Sequence, residues 1–388
     1  MSEPPPIPDG EPITQARVLG KRPPEGRKFP CEKCGSRLDF DPESRELKCP
    51  YCGHIQVIER GGDVVEHDLN AFIGKQTSTM HSLIAGRSSE VRCPGCGAIV
   101  LLEDKVATEK CPYCNTHLEN TPEVAKEMID PESLLPFTIP NRDAIVNFDK
   151  WLHSLWFAPS ELKKLANLGQ LNGIYVPHWT YDAMTYSWYE GQRGDNYTTT
   201  EHYTERDANG NNVSKTRTVT KIRWHSVSGE IDHFFDDVLI CGSHSIPAHL
   251  LAKLGDWDLP NLEAFKAAFL AGFLTERYAV GVEEGLESAK VIMDGEIKEM
   301  CRRDIGGDHQ RVSTVETKYV GVTFKHILVP IWLASYRYRE KLFQVLVNGR
   351  TGVVAGERPW SWWKITRLIL LIIGTIGGIF GLVKYFQS

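Results

Sequence analysis

Paired C-x-x-C motifs constrain this chain more than any other feature. Cys31 and Cys34 form one pair and Cys49 and Cys52 another, with 14 residues between them, and Cys93, Cys96, Cys111 and Cys114 repeat the arrangement with the same spacer. Two thiolates separated by two residues reach one tetrahedral ion, and a spacer of this length suits a hairpin that brings the second pair opposite the first. The backbone must also turn just after each second cysteine, at a residue that tolerates positive φ. Gly35, Gly53 and Gly97 meet that need, and Asn115 stands at the fourth such position. Two four-cysteine sites are therefore expected, with ligands Cys31, Cys34, Cys49 and Cys52 in one and Cys93, Cys96, Cys111 and Cys114 in the other. Zinc is the expected ion, and iron is the alternative because rubredoxin-type sites use similar knuckles. A four-thiolate site leaves no open position for substrate. Both ions should be structural, since a unit of about 25 residues cannot stabilise itself by core burial alone. Cys241 and Cys301 stand alone in sequence and read as ordinary thiols.

Ribbons of this kind often touch nucleic acid, so charge decides. The 388 residues carry 44 basic and 50 acidic side chains, a formal charge of −6. From Arg27 to Arg60 there are seven basic and six acidic residues, and from Arg87 to Leu118 four and four. Neither stretch makes the basic patch that phosphate contacts require. Tyr51 and Tyr113, each between the last two cysteines of its set, can stack on bases or pack on the hairpin. A protein-docking role is favoured over nucleic-acid binding. Ten cysteines are few for a disulfide scaffold of this size, and Met1 to Gly20 lacks the layout of a secretory signal. A reducing, cytosol-facing compartment follows.

Composition divides the chain further. Residues 1–28 are Pro-rich and read as a disordered tail, 29–60 as the first ribbon, 61–90 as a linker, 91–118 as the second ribbon and 119–140 as a hinge. Residues 141–357 read as one α+β core domain with an antiparallel sheet. Ala144, Phe148, Trp151, Leu152 and Leu155 predict a helix, and a second is expected from Ser160 through Leu162, Leu165 and Leu168. Between Ile174 and Ile240 the period becomes two, which predicts an antiparallel meander with a turn at Asn209 and Gly210. Two helices should follow, one with Leu262, Phe265 and Phe269 and the other with Val282, Leu286, Ala289, Met293, Ile297 and Met300 on one face. Strands return after Arg311, with a hairpin turn at Asn348 and Gly349. Val176-Pro177-His178-Trp179 is echoed by Val329-Pro330-Ile331-Trp332. The echo admits duplicated half-domains, a shared way of starting an edge strand with proline, or chance.

Residues 358–388 read as a membrane anchor. Leu368 to Val383 contains no charged residue, and its sixteen residues span about 24 Å as a helix, which snorkelling by Arg367 and Lys384 extends. Trp360, Trp362 and Trp363 occupy the place of an interfacial belt. Arg350, Arg358, Lys364 and Arg367 precede the span and Lys384 follows it, so the positive-inside rule leaves the N-terminal portion in the cytosol. A buried C-terminal helix is the competing reading. Gly374, Gly377, Gly378 and Gly381 share one helix face and contain two G-x-x-x-G pairs, which points to a homodimer or to packing on another protein.

Two acidic clusters, His233, Asp236 and Asp237 in HFFDD and Asp304, Asp308 and His309 in DIGGDHQ, would make a hard-metal site only if folding joined them. A strand end and a glycine turn after a helix are the plainer readings. Tyr175, Trp179, Tyr181, Tyr186, Trp188, Tyr189, Tyr197 and Tyr203 line a groove or pack the sheet. Nucleotide-enzyme signatures are missing: Gly74 and Lys75 precede Gln76 where a P-loop needs Ser or Thr.

With ribbons ending in CPYCG and CPYCN, then WLHSLWFAPSELKK, YVPHWTYDA, FFDDVL, RRDIGGDHQR, TFKHILVPIWLASYRY and VNGRTGVVAGERP, the chain resembles a bacterial family of zinc-ribbon membrane proteins. These are labelled transcription-factor-IIB-type ribbon proteins or, by ribbon similarity, primosomal protein N-prime (helicase)-like. The resemblance implies attachment to the bacterial cytoplasmic membrane and protein partners among phage-shock-type membrane-stress and SPFH-domain proteins. It carries no motor activity, because the chain lacks a phosphate loop. The expected function is a non-enzymatic, membrane-anchored adaptor. A ribbon-mediated nucleic-acid binder acting with a replication or restart complex, and an enzyme using the Asp/His clusters of the core, are the alternatives.

Overall fold

A computed structural model describes residues 29–73, 88–103, 108–114, 116–119, 129–156, 171–206, 211–338, 341–358 and 361–387. It is a mixed α+β fold built on one dominant sheet. The expected tail at 1–28, the helix from Ser160, the Asn209-Gly210 turn, Asn115 and the Gly74-Lys75-Gln76 segment lie outside the described residues.

The first cysteine unit is a three-stranded antiparallel sheet of β1 (Asp39–Asp41), β2 (Glu46–Lys48) and β3 (Ile55–Gln56). A short strand β4 (His67–Asp68) and helix α1 (Leu69–Ile73) follow. The second unit pairs β5 (Ser88–Arg92) with β6 (Ile99–Glu103) and β7 (Thr108–Lys110) with β8 (His117–Glu119). Strand β9 (Ser133–Leu134) and helix α2 (Asn141–Ser154) lead into the core. Helix α2 buries Ala144, Phe148 and Leu152, as the periodicity predicts, and starts behind Pro140, whose missing N–H is harmless at that position.

The core is dominated by β10 (Asn172–Arg206), β11 (Asn212–Cys241) and, after helix α3 (Ala248–Leu251), strands β12 (Glu263–Ala264) and β13 (Leu274–Glu276) and helix α4 (Val282–Ile305), by β14 (His309–Tyr338). Strands β15 (Lys341–Asn348) and β16 (Val354–Gly356) complete the sheet, and helix α5 (Trp362–Gln387) ends the chain. Strand β10 is central, with β11 and β14 antiparallel on either side. Its 35 residues span about 115 Å at roughly 3.3 Å each. The expected meander is thus two very long strands. Register shifts at Asp182 and at Glu190/Gly191 let them twist without ending. Beyond Gly194, where pairing with β14 stops, β10 and β11 continue as a two-stranded arm.

Helix α4 covers one face of this sheet, burying Leu286, Ala289, Met293, Ile297 and Cys301 against Trp179, Tyr181, Tyr189 and Phe324. The helix expected at Leu262, Phe265 and Phe269 is absent. There β12 pairs with β9, the Phe265 amide donates to the Glu132 carbonyl at 2.9 Å, and short 3-10 turns at Leu259–Asn261 and Ala267–Leu270 flank the strand. An edge hydrogen bond outcompetes weak local periodicity in so short a segment.

The two Val-Pro-x-Trp motifs meet at their first residues, Val176 opposite Val329, and run apart from there along antiparallel strands. Neither proline starts an edge strand. Pro177 lies in β10 where its outer neighbour changes from β13, parallel, to β11, antiparallel, and Pro330 lies in β14 where the neighbour changes from β9, parallel, to β15, antiparallel. At such a hand-over no neighbour asks for the missing N–H. Each proline carbonyl accepts an amide from just past the end of the partner strand, Gly242 at 2.8 Å and Gly349 at 2.9 Å. Trp179 and Trp332 each donate an indole N–H at 2.9 Å, to the Val280 and Ile139 carbonyls.

Both cysteine units pack on the core. Leu38, Phe40 and Leu47 of the first share an apolar cluster with Tyr175, Phe269 and Trp332, and the Phe40 amide donates to the Ala271 carbonyl at 2.9 Å. In the second, β6 pairs with β13, so the unit continues the main sheet, and its Val91, Cys93 and Tyr113 share a cluster with Ile174, Val176 and Val329. Neighbouring residues on a strand point to opposite faces, so the units flank opposite faces of β10.

Candidate metal centres

In each unit the knuckles fix the cysteine backbone first. Gly35, Gly53 and Gly97 adopt φ of 70°, 71° and 78° and donate their amides to the carbonyls of Cys31, Cys49 and Cys93 at 2.7, 3.0 and 2.9 Å. That turn throws the two sulfurs of a pair to the same side. The hairpin then brings the pairs together: Cys31 and Cys52 sulfurs lie 3.6 Å apart, Cys34 and Cys49 3.5 Å, Cys93 and Cys114 3.3 Å, and Cys96 and Cys111 3.7 Å. All four sulfurs of each set fall within 4.8 Å of one another. Sulfurs about 2.3 Å from a tetrahedral ion sit roughly 3.8 Å apart, so both sets fit a metal ion. Every sequence-predicted ligand is thus brought to its expected set.

The centres differ in their surroundings. Cys34 and Cys52 are exposed, whereas Cys93, Cys111 and Cys114 are buried and Cys96 is half-buried. The same contrast holds for the tyrosines of the two C-P-Y-C knuckles: Tyr51 is 73% exposed and Tyr113 0%. The Tyr113 hydroxyl donates to Glu276, a buried carboxylate on β13 that also accepts from Ser243 and Ser245 at 2.7 Å each. Burial raises the pKa of both Glu276 and Tyr113. Gln344 on β15 donates to the Tyr113 carbonyl at 3.1 Å. The knuckle of the second centre is therefore clamped from two strands of the sheet.

Asp182, Asp236 and Asp237 also converge, with carboxylate oxygens within 4.8 Å. A bulge in β11 sets Asp236 and Asp237 against the single Asp182 of β10, and Asp237 adopts φ 53° while its amide donates to Asp182 at 2.6 Å. This group carries its own cation. Lys325, buried on β14, lies 2.7 Å from Asp237 and 3.1 Å from Glu66, and Thr323 donates to Asp182 at 3.1 Å. Burial opposes the charged form of Lys325, but its contacts with Asp237 and Glu66 win and raise its pKa. The arrangement straps the segment before β4 to the sheet.

The other acidic cluster lies elsewhere. Asp304 accepts from Tyr189, Asp308 accepts from the Asn196 amide at 2.7 Å, and His309 meets the Asn196 side chain at 3.1 Å. Those contacts on β10 lie about 25 to 45 Å along the strand from Asp182. Folding does not join the clusters, and His233 belongs to neither. Gly306 and Gly307, at φ 63° and 75°, make the turn that ends α4. The aromatic residues also divide: Tyr175, Trp179, Tyr181 and Tyr189 are buried, Tyr186 and Trp188 are exposed on the opposite face, and Tyr197 and Tyr203 lie on the arm.

Helix α5 is long and apolar enough to cross a membrane over Trp362–Ile379, and none of that window is buried. No family model and no solved structure matches the chain. The chain is similar to the uncharacterized protein YdjG of Bacillus subtilis strain 168, at 25% identity over 359 residues, 92% of this chain and 96% of that protein.

Proposed function

We propose that the protein is a non-enzymatic adaptor that holds two structural zinc ions in ribbons and recruits other proteins to the cytosolic face of a bacterial membrane. One observation carries the reading: a bare apolar helix, α5, follows a core whose two four-sulfur sets leave no ligand position for a substrate. Lys325 already pairs with Asp237 of the acidic group on β10 and β11, and the DIGGDHQ cluster caps a helix end, which favours an adaptor over an enzyme. Arg358, Lys364 and Arg367 before the uncharged stretch Leu368–Val383, against Lys384 after it, favour a cytosolic core. Zinc suits compact ribbon hairpins better than iron. The family resemblance adds the setting, a membrane-stress system with phage-shock-type or SPFH-domain partners.

The test is affinity purification of the full chain from detergent-solubilised membranes, with elemental analysis of the same sample. Two equivalents of zinc and reproducible co-purifying proteins are expected. Recovery of the intact chain in the soluble fraction, or fewer than two metal equivalents with all thiols reduced, overturns the reading.

A further inference from the structure

Helix α4 covers one face of the three central strands, and between Met184 and Glu190 the other face is open among the described residues. From Met184 to Glu190 the even-numbered residues of β10 point away from α4, and register sets their neighbours in rows. Met184 stands between Phe234 and Val320, Tyr186 between Asp232 and Lys318, and Trp188 between Glu230 and Glu316. Glu190 closes the strip. Phe234 is 57% exposed and Trp188 47%, and Val320 and Tyr186 are comparably bare. A contiguous apolar strip is therefore edged by four carboxylates, Glu190, Glu230, Asp232 and Glu316, and one ammonium, Lys318. Contiguous exposed apolar surface with a polar rim marks an interaction site.

The rim charge selects the occupant. An anionic bilayer surface or a nucleic acid would meet like charge. A second copy docking through the same face would set carboxylates against carboxylates across a two-fold axis. A basic partner gains from every one of them. The dimensions favour a helix: three strands are about 10 Å across and four rows about 20 Å long, the width of one α-helix and the length of roughly 13 helical residues. Helix α4 already packs on this sheet in that way from the other side.

We propose that the Trp188 face of the sheet docks an amphipathic α-helix of a partner protein, with Lys or Arg flanking its apolar stripe. The proposal rests on the adaptor reading and adds to it the place and chemistry of recruitment.

The test places a photoreactive benzoylphenylalanine at Tyr186 in the full-length membrane protein in its own cells, with Val291 on the exposed side of α4 as the control position. Adducts at 186 but not 291 should map to a helical, Lys/Arg-flanked apolar segment of another protein. Glu230→Lys with Glu316→Lys should cut their yield about tenfold, and Glu230→Gln with Glu316→Gln by less, at unchanged circular dichroism. Adducts to lipid, to a second copy, to another segment of the same chain or to a segment without basic flanks overturn the proposal. So does a yield unchanged by charge reversal. If no adduct forms but affinity purification still recovers partners, this face is wrong and the adaptor reading stands. If neither appears, both fall.

Discussion

Val176 and Val329 lie directly opposite each other on β10 and β14, and neither exposes any surface. They open the two Val-Pro-x-Trp motifs, so the point where the echoed sequences meet is also a point of full burial. Val176→Ala and Val329→Ala should each cost about 2–3 kcal/mol, the loss of two buried methyl equivalents plus a partly collapsed cavity. Because the pair share one site, the double variant should depart from the sum of the singles by at least about 0.5 kcal/mol. Urea unfolding of the detergent-solubilised protein checks this, and simple additivity would count against direct packing.

Tyr113→Phe and Tyr51→Phe should behave differently despite their matching knuckles. Removing the Tyr113 hydroxyl deprives a buried carboxylate of one donor and should lower stability by about 1–3 kcal/mol. Tyr51 faces solvent, and its variant should be neutral within about 0.5 kcal/mol. Equal thermal shifts for the two would contradict the clamp through Glu276.

Those two tyrosines also mark where sequence reading stops. The C-x-x-C pairs, the glycines after them and the apolar stripe of α4 are local patterns, each written within a few residues, and they are legible. What a knuckle packs against depends on strands far along the chain. Nothing near Cys111 distinguishes Tyr113 from Tyr51, because Glu276 and Gln344 are supplied by β13 and β15. The long strands are masked by their Thr-rich arm, which has no apolar alternation to follow. The exposed strip does leave a trace: Met184, Tyr186 and Trp188 give β10 large apolar residues on the side opposite Tyr181 and Tyr189, a strand apolar on both faces. The partners that make the strip a surface, Phe234 and Val320, emerge only with the register.

Metal release should be biphasic. With Cys34 and Cys52 exposed and the second set largely buried, a chromogenic chelator should draw one equivalent quickly and the other much more slowly. Cys52→Ser should abolish the fast phase and leave the slow one. A single phase for both ions, or loss of the slow phase in that variant, would show that accessibility does not control release.

Acid should weaken the fold through two buried histidines. Burial pushes His178 and His326 down to about 4, from an ordinary value near 6.5. Each is therefore neutral in the folded chain while the unfolded chain takes up a proton, so stability present above pH 6.5 is lost as pH falls toward 4. The loss approaches an order of 3 kcal/mol per histidine. His178→Gln should roughly halve the slope of stability against pH across that window. A flat profile between pH 7 and 4.5 would refute the assignment.

Self-association of the anchor is expected through Gly374, Gly377, Gly378 and Gly381. Lipid tails give helices no hydrophobic reason to pair, so close backbone approach over small residues must supply the attraction. Built side chains at Gly374, Gly377 and Gly378 would meet no described residue within 4 Å, which favours that face for a partner helix. Gly374→Ile with Gly378→Ile should abolish association in a membrane-based dimerisation assay while leaving insertion intact. A monomeric wild-type span there, together with a monomeric full chain in mild detergent, would exclude the homodimer.

The arm and helix α5 leave the sheet at opposite ends of its longest strand. Helix α5 follows β16, which pairs through β15 to the stretch of β14 beside Asn172, while the arm runs on past Gly194 to Arg206. With α5 inserted in a bilayer, the tip of the arm can stand as far as about 100 Å from the lipid surface. The tip is tied to the rigid body of the protein by paired backbone all the way. Cross-strand contacts stiffen it, Glu201 with Arg217 and Lys221 at 3.1 and 2.9 Å and Lys215 with Glu205 at 2.7 Å. The chain thus has the proportions of a mast: with α5 in a bilayer, the arm would meet large assemblies well before they reached the lipid.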